Sequence, residues 1–258
     1  MSVTVAVLNQ KGGVGKTTLT LGLASAAWAR GVSTLVVDLD PQANATWTLG
    51  VEPSTANYGT GDAMLANRDG VAADMVVPSG WGEPVWLLPA AGDLTDREAD
   101  RSRTRAEHRL ARSLVGVAER FDLVLVDCAP SLGLNTTNGL VAAHGALIVA
   151  EPSAFGLRGI TGALDLLDAV WAEHNPDLRL LGVVLNKVPA VSAEAKHRAE
   201  ELIGLVGARS VWSPPIPQRV VVSEAHGERA PLHAFGRRAG DLVGVFDALF
   251  DRLRRATR

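Results

Sequence analysis

What most limits how this chain can fold lies in its first thirty residues. An apolar run at residues 3–8 leads into Asn9-Gln10-Lys11-Gly12-Gly13-Val14-Gly15, and a helix-forming stretch at residues 16–30 follows and ends at Gly31. A buried strand, a glycine loop and a helix in that order make one βα unit of a parallel sheet. The glycines allow the backbone to come close to a ligand that a Cβ would hold off. The loop amides and the positive end of the helix then converge on one point, a geometry suited to an anion.

The side chains narrow the anion to a phosphate chain. Lys16 would reach β- and γ-phosphates, and the Thr17 hydroxyl would take Mg²⁺. The strict spacing G-x-x-x-x-G-K-[ST] is not met, because Gln10 stands where the first glycine belongs, and a second lysine, Lys11, enters five residues before Lys16. A glycine turn without a ligand is the competing reading. The strand before, the helix after and Gly15-Lys16-Thr17-Thr18 together weigh against it.

Further along, short apolar runs alternate with helix-like segments. Strands are predicted at residues 34–37, 75–77, 85–88, 123–126, 146–149, 180–185 and 210–212, and helices at 58–67, 95–119, 159–171, 193–206 and 240–255. The apolar runs lack polar alternation, as strands covered on both faces do. The expectation is one α/β domain over residues 1–258: a P-loop NTPase-like fold with a mostly parallel, twisted sheet and helices on both faces.

Two acidic strand ends accompany the loop. Leu123-Val124-Leu125-Val126 runs into Asp127, in the form of the carboxylate that supports Mg²⁺ through water; a solvated or helix-capping aspartate is the alternative. Asp38-Leu39-Asp40-Pro41-Gln42 closes another run. Asp38 and Asp40 share a side if the strand stays extended, although Pro41 ends it just beyond. Acids at neighbouring strand ends gather at the carboxyl edge, where ligands bind.

Composition sets limits on partners. The formal net charge of -3 excludes a wholly basic nucleic-acid binder, yet between residues 205 and 258 nine arginines outnumber the acids. One cysteine, Cys128, rules out an internal disulfide, fits a reducing compartment and reads as packing. No secretory leader and no apolar stretch near the ~20 residues of a membrane span is seen. The six histidines lack metal-ligand spacing, and the charged run at residues 97–112 reads as a solvated helix face.

Three segments resemble one family. Lys11-Gly12-Gly13-Val14-Gly15-Lys16-Thr17-Thr18, residues 37–46 and residues 121–133 are similar to the ParA/Soj partition ATPases, of the deviant Walker A group that includes MinD and the nitrogenase iron protein. Ile216-Pro217 followed by Ser223-Glu224-Ala225 resembles a further family segment. The resemblance implies ATP and Mg²⁺ as cofactors and a homodimer that sandwiches two ATP molecules. Lys11, which has no obvious partner within one chain, would cross to the partner's nucleotide, and Lys16 would serve its own. Asp40 would orient the attacking water and could also touch the metal; Thr17 and, through water, Asp127 would hold it. The catalytic set would be Lys11, Lys16 and Asp40. Gly12, Gly13, Val14, Gly15 and Thr18 would line the phosphates, and Asn186 and Pro217 would meet the adenine.

The same resemblance implies non-specific DNA binding by the ATP dimer, a ParB-like activator, and a cytoplasmic, nucleoid-associated protein that positions or segregates a chromosome or plasmid. No N-terminal helix-turn-helix extension precedes the first strand, so operon autoregulation is not expected. Departures fall in the basic residues. The family's Ile-Pro-Arg-Asn reads Ile216-Pro217-Gln218-Arg219, and a second family arginine corresponds to Val191. Arg219, Arg237 and Arg238 are the DNA-contact candidates, against a solvated surface. Two other readings stand beside this one: a positioning ATPase for a non-DNA cargo, and a membrane-associated, MinD-like ATPase using the stripe Leu242, Phe246, Leu249 and Leu253. A packed terminal helix explains that stripe more simply, so no membrane partner is expected.

Overall fold

The computed structural model describes residues 2–53, 56, 58–91, 94–99 and 105–258. Its centre is set by the most apolar runs in the chain. Strand β1 (Val3–Leu8) lies between β5 (Leu123–Asp127) and β6 (Gly145–Ala150), parallel to both. Beyond β5 come β2 (Thr34–Asp38), β4 (Val85–Leu88) and β3 (Val77–Pro78); beyond β6 come β7 (Arg179–Leu185) and β8 (Val211–Trp212). The eight-stranded order is β3-β4-β2-β5-β1-β6-β7-β8, parallel except where β3 meets β4.

Alternation along the strands divides the core in two. Ala6, Leu8, Val37, Val126 and Ile148 face a layer formed by α3 (Thr60–Ala66), α5 (Arg109–Ser113), α6 (Leu134–Val141), α7 (Ala154–Glu173) and α8 (Ala193–Val206). Val5, Val7, Val36, Leu125 and Val149 face α1 (Lys16–Ala29), α9 (Val220–Gly227) and α10 (Leu242–Ala256). Strands sandwiched in this way need apolar side chains on both sides, which is why their sequences do not alternate. Helices thus cover both faces of a mostly parallel sheet, as the sequence predicts.

The stripe on α10 is core. Leu242, Phe246, Leu249 and Leu253 are each at most 1% exposed. A Cβ at Gly22 of α1 would fall 2.0 Å from the Phe246 ring, so glycine is what lets the two helices approach. Among the described residues, no helix is long and apolar enough to cross a membrane.

The long helix predicted at 95–119 is not one helix. Short α4 (Leu94–Ala99), a 3-10 turn at Ala106–His108, α5 and a second 3-10 turn at Ala118–Arg120 take its place. Residues 100–104, with Arg101 and Arg103 of the charged run, lie outside the described residues. Arg105 and Gly116 adopt positive φ, which interrupts a helix. Nor is the run all solvated, because Arg109 is fully buried. Helices α2 (Asn44–Thr48), α6 and α9 carry no clear periodic signal. The first turn of α6 is held from outside, by the Glu98 carboxylate, which accepts from Asn135 N at 2.8 Å and Ser131 Oγ at 2.7 Å.

Candidate active site

The loop between β1 and α1 emerges at the carboxyl edge of the sheet's centre. Its start is pinned to the neighbouring strand: Asn9 Nδ2 donates to Val149 O at 2.6 Å, and Asn9 Oδ1 accepts from Lys11 N at 2.8 Å. Its end is Gly15, at φ +99°, the residue that opens α1. Asn186 follows β7, and its Nδ2 donates to Val14 O at 2.7 Å. A Cβ at Gly15 would sit 1.8 Å from that nitrogen. Backbone hand and the Asn186 contact therefore both require glycine here. No side chain caps α1, which leaves its first-turn amides available to an anion.

Thr17 and Asp127 meet beside the loop. Thr17 Oγ1 donates to Asp127 Oδ2 at 2.6 Å, and Thr20 Oγ1 to Asp127 Oδ1 at 3.2 Å. Asp127 is fully buried and stands in register with Asp38 on β2. Burial, reinforced by the Asp38 charge, pushes the Asp127 carboxyl up to about 8. Burial raises Asp38 as well, against hydrogen bonds from Thr46 and Asp40 that favour its charged form. Lys16 is 6% exposed and donates from Nζ to Lys11 O at 3.3 Å. Burial draws its ammonium below the ordinary lysine range, opposed by Asp127 and Asp40. The Thr17 hydroxyl and the Asp127 carboxyl are hard oxygen donors, the ligand class that Mg²⁺ takes when phosphates and waters complete its shell.

Asp38 and Asp40 do not point together along an extended strand. β2 ends at Asp38, whose Oδ1 accepts from Asp40 N at 3.0 Å and whose Oδ2 accepts from Thr46 N at 2.8 Å and Thr46 Oγ1 at 2.7 Å. Asp38 thus folds the following segment back on itself. Asp40 alone of the two lines the groove, steadied by Gln42 N donating to its Oδ1 at 2.9 Å.

Lys11 does have a partner within its own chain, contrary to the sequence reading. Its Nζ stands 3.0 Å from Glu151 Oε2, while Lys187 Nζ stands 3.0 Å from Glu151 Oε1 and donates to Gly13 O at 2.5 Å. Glu151 directly follows β6, the neighbour of β1, and sheet order alone brings it to the loop. Burial by itself would raise the Glu151 carboxyl; the hydrogen bonds from Lys11 and Lys187 outweigh it and hold the group below the usual carboxylate range.

Two depressions adjoin here. A groove of about 460 Å³ is lined by Gly12, Gly13, Gly15, Lys16, Thr17, Thr18 and Asp40, together with Asn44, Trp47 and Pro130. A second, of about 260 Å³, is lined by Asn186, Pro217, Gln218, Arg219 and Ser223. Asn186 and Pro217, 31 positions apart in sequence, are brought to one cavity, although the Asn186 amide already bonds the loop. Glu151, Lys187, Trp47 and His226 enter the site without a sequence signal.

The basic candidates are unequal. Arg219 pairs with Asp241 at 3.0 Å, and Arg238 pairs with Glu224 at 3.3 Å and Glu228 at 3.2 Å. Arg237 is exposed and forms no ion pair among the described residues. Val191 is 94% exposed. Cys128 is fully buried, and burial pushes its thiol far up, as for a packing residue.

Comparison with known proteins places this geometry. A family model described as an AAA domain matches residues 2–180. The chromosome partitioning protein ParA of Myxococcus xanthus is 32% identical over 229 residues, covering 88% of this chain and 80% of that protein. The sporulation initiation inhibitor protein Soj of Bacillus subtilis is 31% identical over 240 residues, covering 93% of each. Among solved structures, cobyrinic acid a,c-diamide synthase from Mycobacterium smegmatis with bound ATP analog and magnesium superposes with a TM-score of 0.82 at 30% identity, over 99% of this chain and 95% of that one. A family match over most of the chain, joined to relatives aligned along nearly all of it, makes this protein a member of the ParA/Soj-type partition ATPase family.

Proposed function

We propose that this chain is an ATP-hydrolysing partition protein that binds Mg²⁺-ATP on the loop at residues 11–18, dimerises around it, and uses the dimer to bind DNA without sequence preference. The observation that carries the reading is the convergence of Lys16, Thr17 and Asp40 on one groove beside an uncapped helix start, with the buried Asp127 bonded to Thr17 behind it. The M. smegmatis structure, with its ATP analog and magnesium, supports the cofactor assignment. Mg²⁺ supplies charge neutralisation at the β- and γ-oxygens.

Each residue then has a task. Lys16 and the loop amides bind the β- and γ-phosphates. The Thr17 hydroxyl would hold the metal directly, and Asp127 would support it through water. Asp40 orients the attacking water for in-line displacement. Lys11 leaves Glu151 and reaches the partner's triphosphate, where a charge-assisted contact is stronger than its partly exposed ion pair. Asn186 and Pro217 border the base. Arg219, Arg237 and Arg238 carry the DNA contact, and a ParB-like protein accelerates turnover in a cytoplasmic, nucleoid-associated setting.

A positioning ATPase with a non-DNA cargo uses the same chemistry and differs only in partner. Membrane attachment through α10 is disfavoured by the burial of its apolar stripe. The experiment is phosphate release from Mg²⁺-ATP by the purified chain, alone and with DNA and a ParB-like partner. Slow release that rises with both supports the proposal; no release under any condition sinks it.

A further inference from the structure

Three side chains border both depressions at the site: Thr18, Lys187 and His226. A nucleotide with its phosphates on the loop and its base beside Pro217 must pass between them. Lys187 is already held by Glu151 and Gly13 O. His226 is not held. It lies on α9, which is anchored beneath it by Ala225, 3% exposed. Its ring is partly buried, and its nitrogens form no hydrogen bond among the described residues.

A packing role is the simpler alternative. The ring also borders a small apolar cleft formed by Leu21, Trp81 and Phe246. An aliphatic side chain would fill that cleft, whereas the imidazole brings two polar nitrogens to the edge of both depressions. With no opposing charge, burial lowers the imidazole below the ordinary histidine range, so near neutral pH it presents one donor and one acceptor.

We propose that His226 is a nucleotide-binding residue whose imidazole hydrogen-bonds the ribose–α-phosphate stretch of bound ATP or ADP, at the seam between the phosphate groove and the base cavity. The proposal rests on the Mg²⁺-ATP reading above. It adds a residue of α9 to the phosphate groove, whose other lining residues all lie within the first 190 positions.

The test is calorimetric titration with Mg²⁺-ADP. His226→Ala should weaken binding about fivefold, the scale of one lost hydrogen bond. His226→Gln, which keeps a donor and an acceptor, should stay within about twofold of wild type. Melting without nucleotide shows whether either variant harms the fold; if Ala does, Gln against Asn carries the comparison. The imidazole ¹⁵N resonances of His226 should also shift when Mg²⁺-ADP is added. An Ala variant that binds as wild type does, a Gln variant as weak as Ala, or unmoved resonances would overturn the assignment. Should wild type itself not bind, or Lys16→Ala bind equally well, it is the phosphate-loop reading that has failed.

Discussion

The Lys11 ammonium lies 3.0 Å from the Glu151 carboxylate of its own chain, and Lys187 approaches the other oxygen of that carboxylate at the same distance. One acid therefore holds two lysines at the rim of the loop. Any contact of Lys11 with a second subunit requires this pair to open. With both side chains a fifth to a third exposed, the pair is worth under about 1 kcal/mol, so opening is cheap.

That arrangement makes Lys11→Ala a clean experiment. Glu151 keeps Lys187, so no carboxylate is stranded, and stability should change by less than about 1 kcal/mol. Nucleotide binding by the monomer should stay within about tenfold. The ATP-dependent dimer should be lost, because a charge-assisted contact disappears at two symmetric places. Light scattering with ATP in an Asp40→Ala background is the measurement. Equal dimerisation with and without Lys11 removes its cross-subunit role.

Lys16 and Asp40 should separate binding from turnover. Lys16→Ala deletes the buried ammonium at the loop and should abolish ATP binding in equilibrium titration. Asp40→Ala should bind ATP yet release no phosphate, since orienting water matters only during reaction. Parental turnover by the Asp40 variant would exclude it from the mechanism.

Asp127→Asn tests the metal site through stability. The Asp127 carboxyl is pushed up to about 8, whereas in the unfolded chain it titrates at about 3.9. Between those values the unfolded state loses its proton first, so without metal this group makes stability fall as pH rises. Asparagine cannot ionise. Urea melts at pH 5.5 and 7.5 should show a smaller loss for the variant, and Mg²⁺ should no longer tighten ADP. A variant with the wild-type pH slope and Mg²⁺ response would place the cation elsewhere.

DNA binding should need ATP and weaken steeply with salt, because phosphate contacts release counterions. Arg219 and Arg238 are engaged by acids and Arg237 is not. Arg237→Ala should therefore weaken filter binding more than either other single change, and all three together should weaken every sequence alike. Binding insensitive to salt, or selective for one sequence, would rule out this surface.

Whatever depends on neighbours along the chain is legible in the amino-acid sequence by itself. β1, β4 and α8 fall at the predicted residues, and the glycine loop is recognisable because strand, loop and helix are contiguous. Acids ending apolar runs mark the carboxyl edge for the same reason. What the sequence alone does not reveal are contacts between distant segments: Lys11 with Glu151, 140 positions away, and Asn186 with Val14, 172 away. Asp38, two residues from Asp40, braces the loop because Thr46 folds back onto it. Arg109 is buried and His226 borders both depressions only because α5 and α9 dock where the sheet places them. Periodicity reports which residues want to leave water; sheet order and helix docking decide which polar groups they bring along.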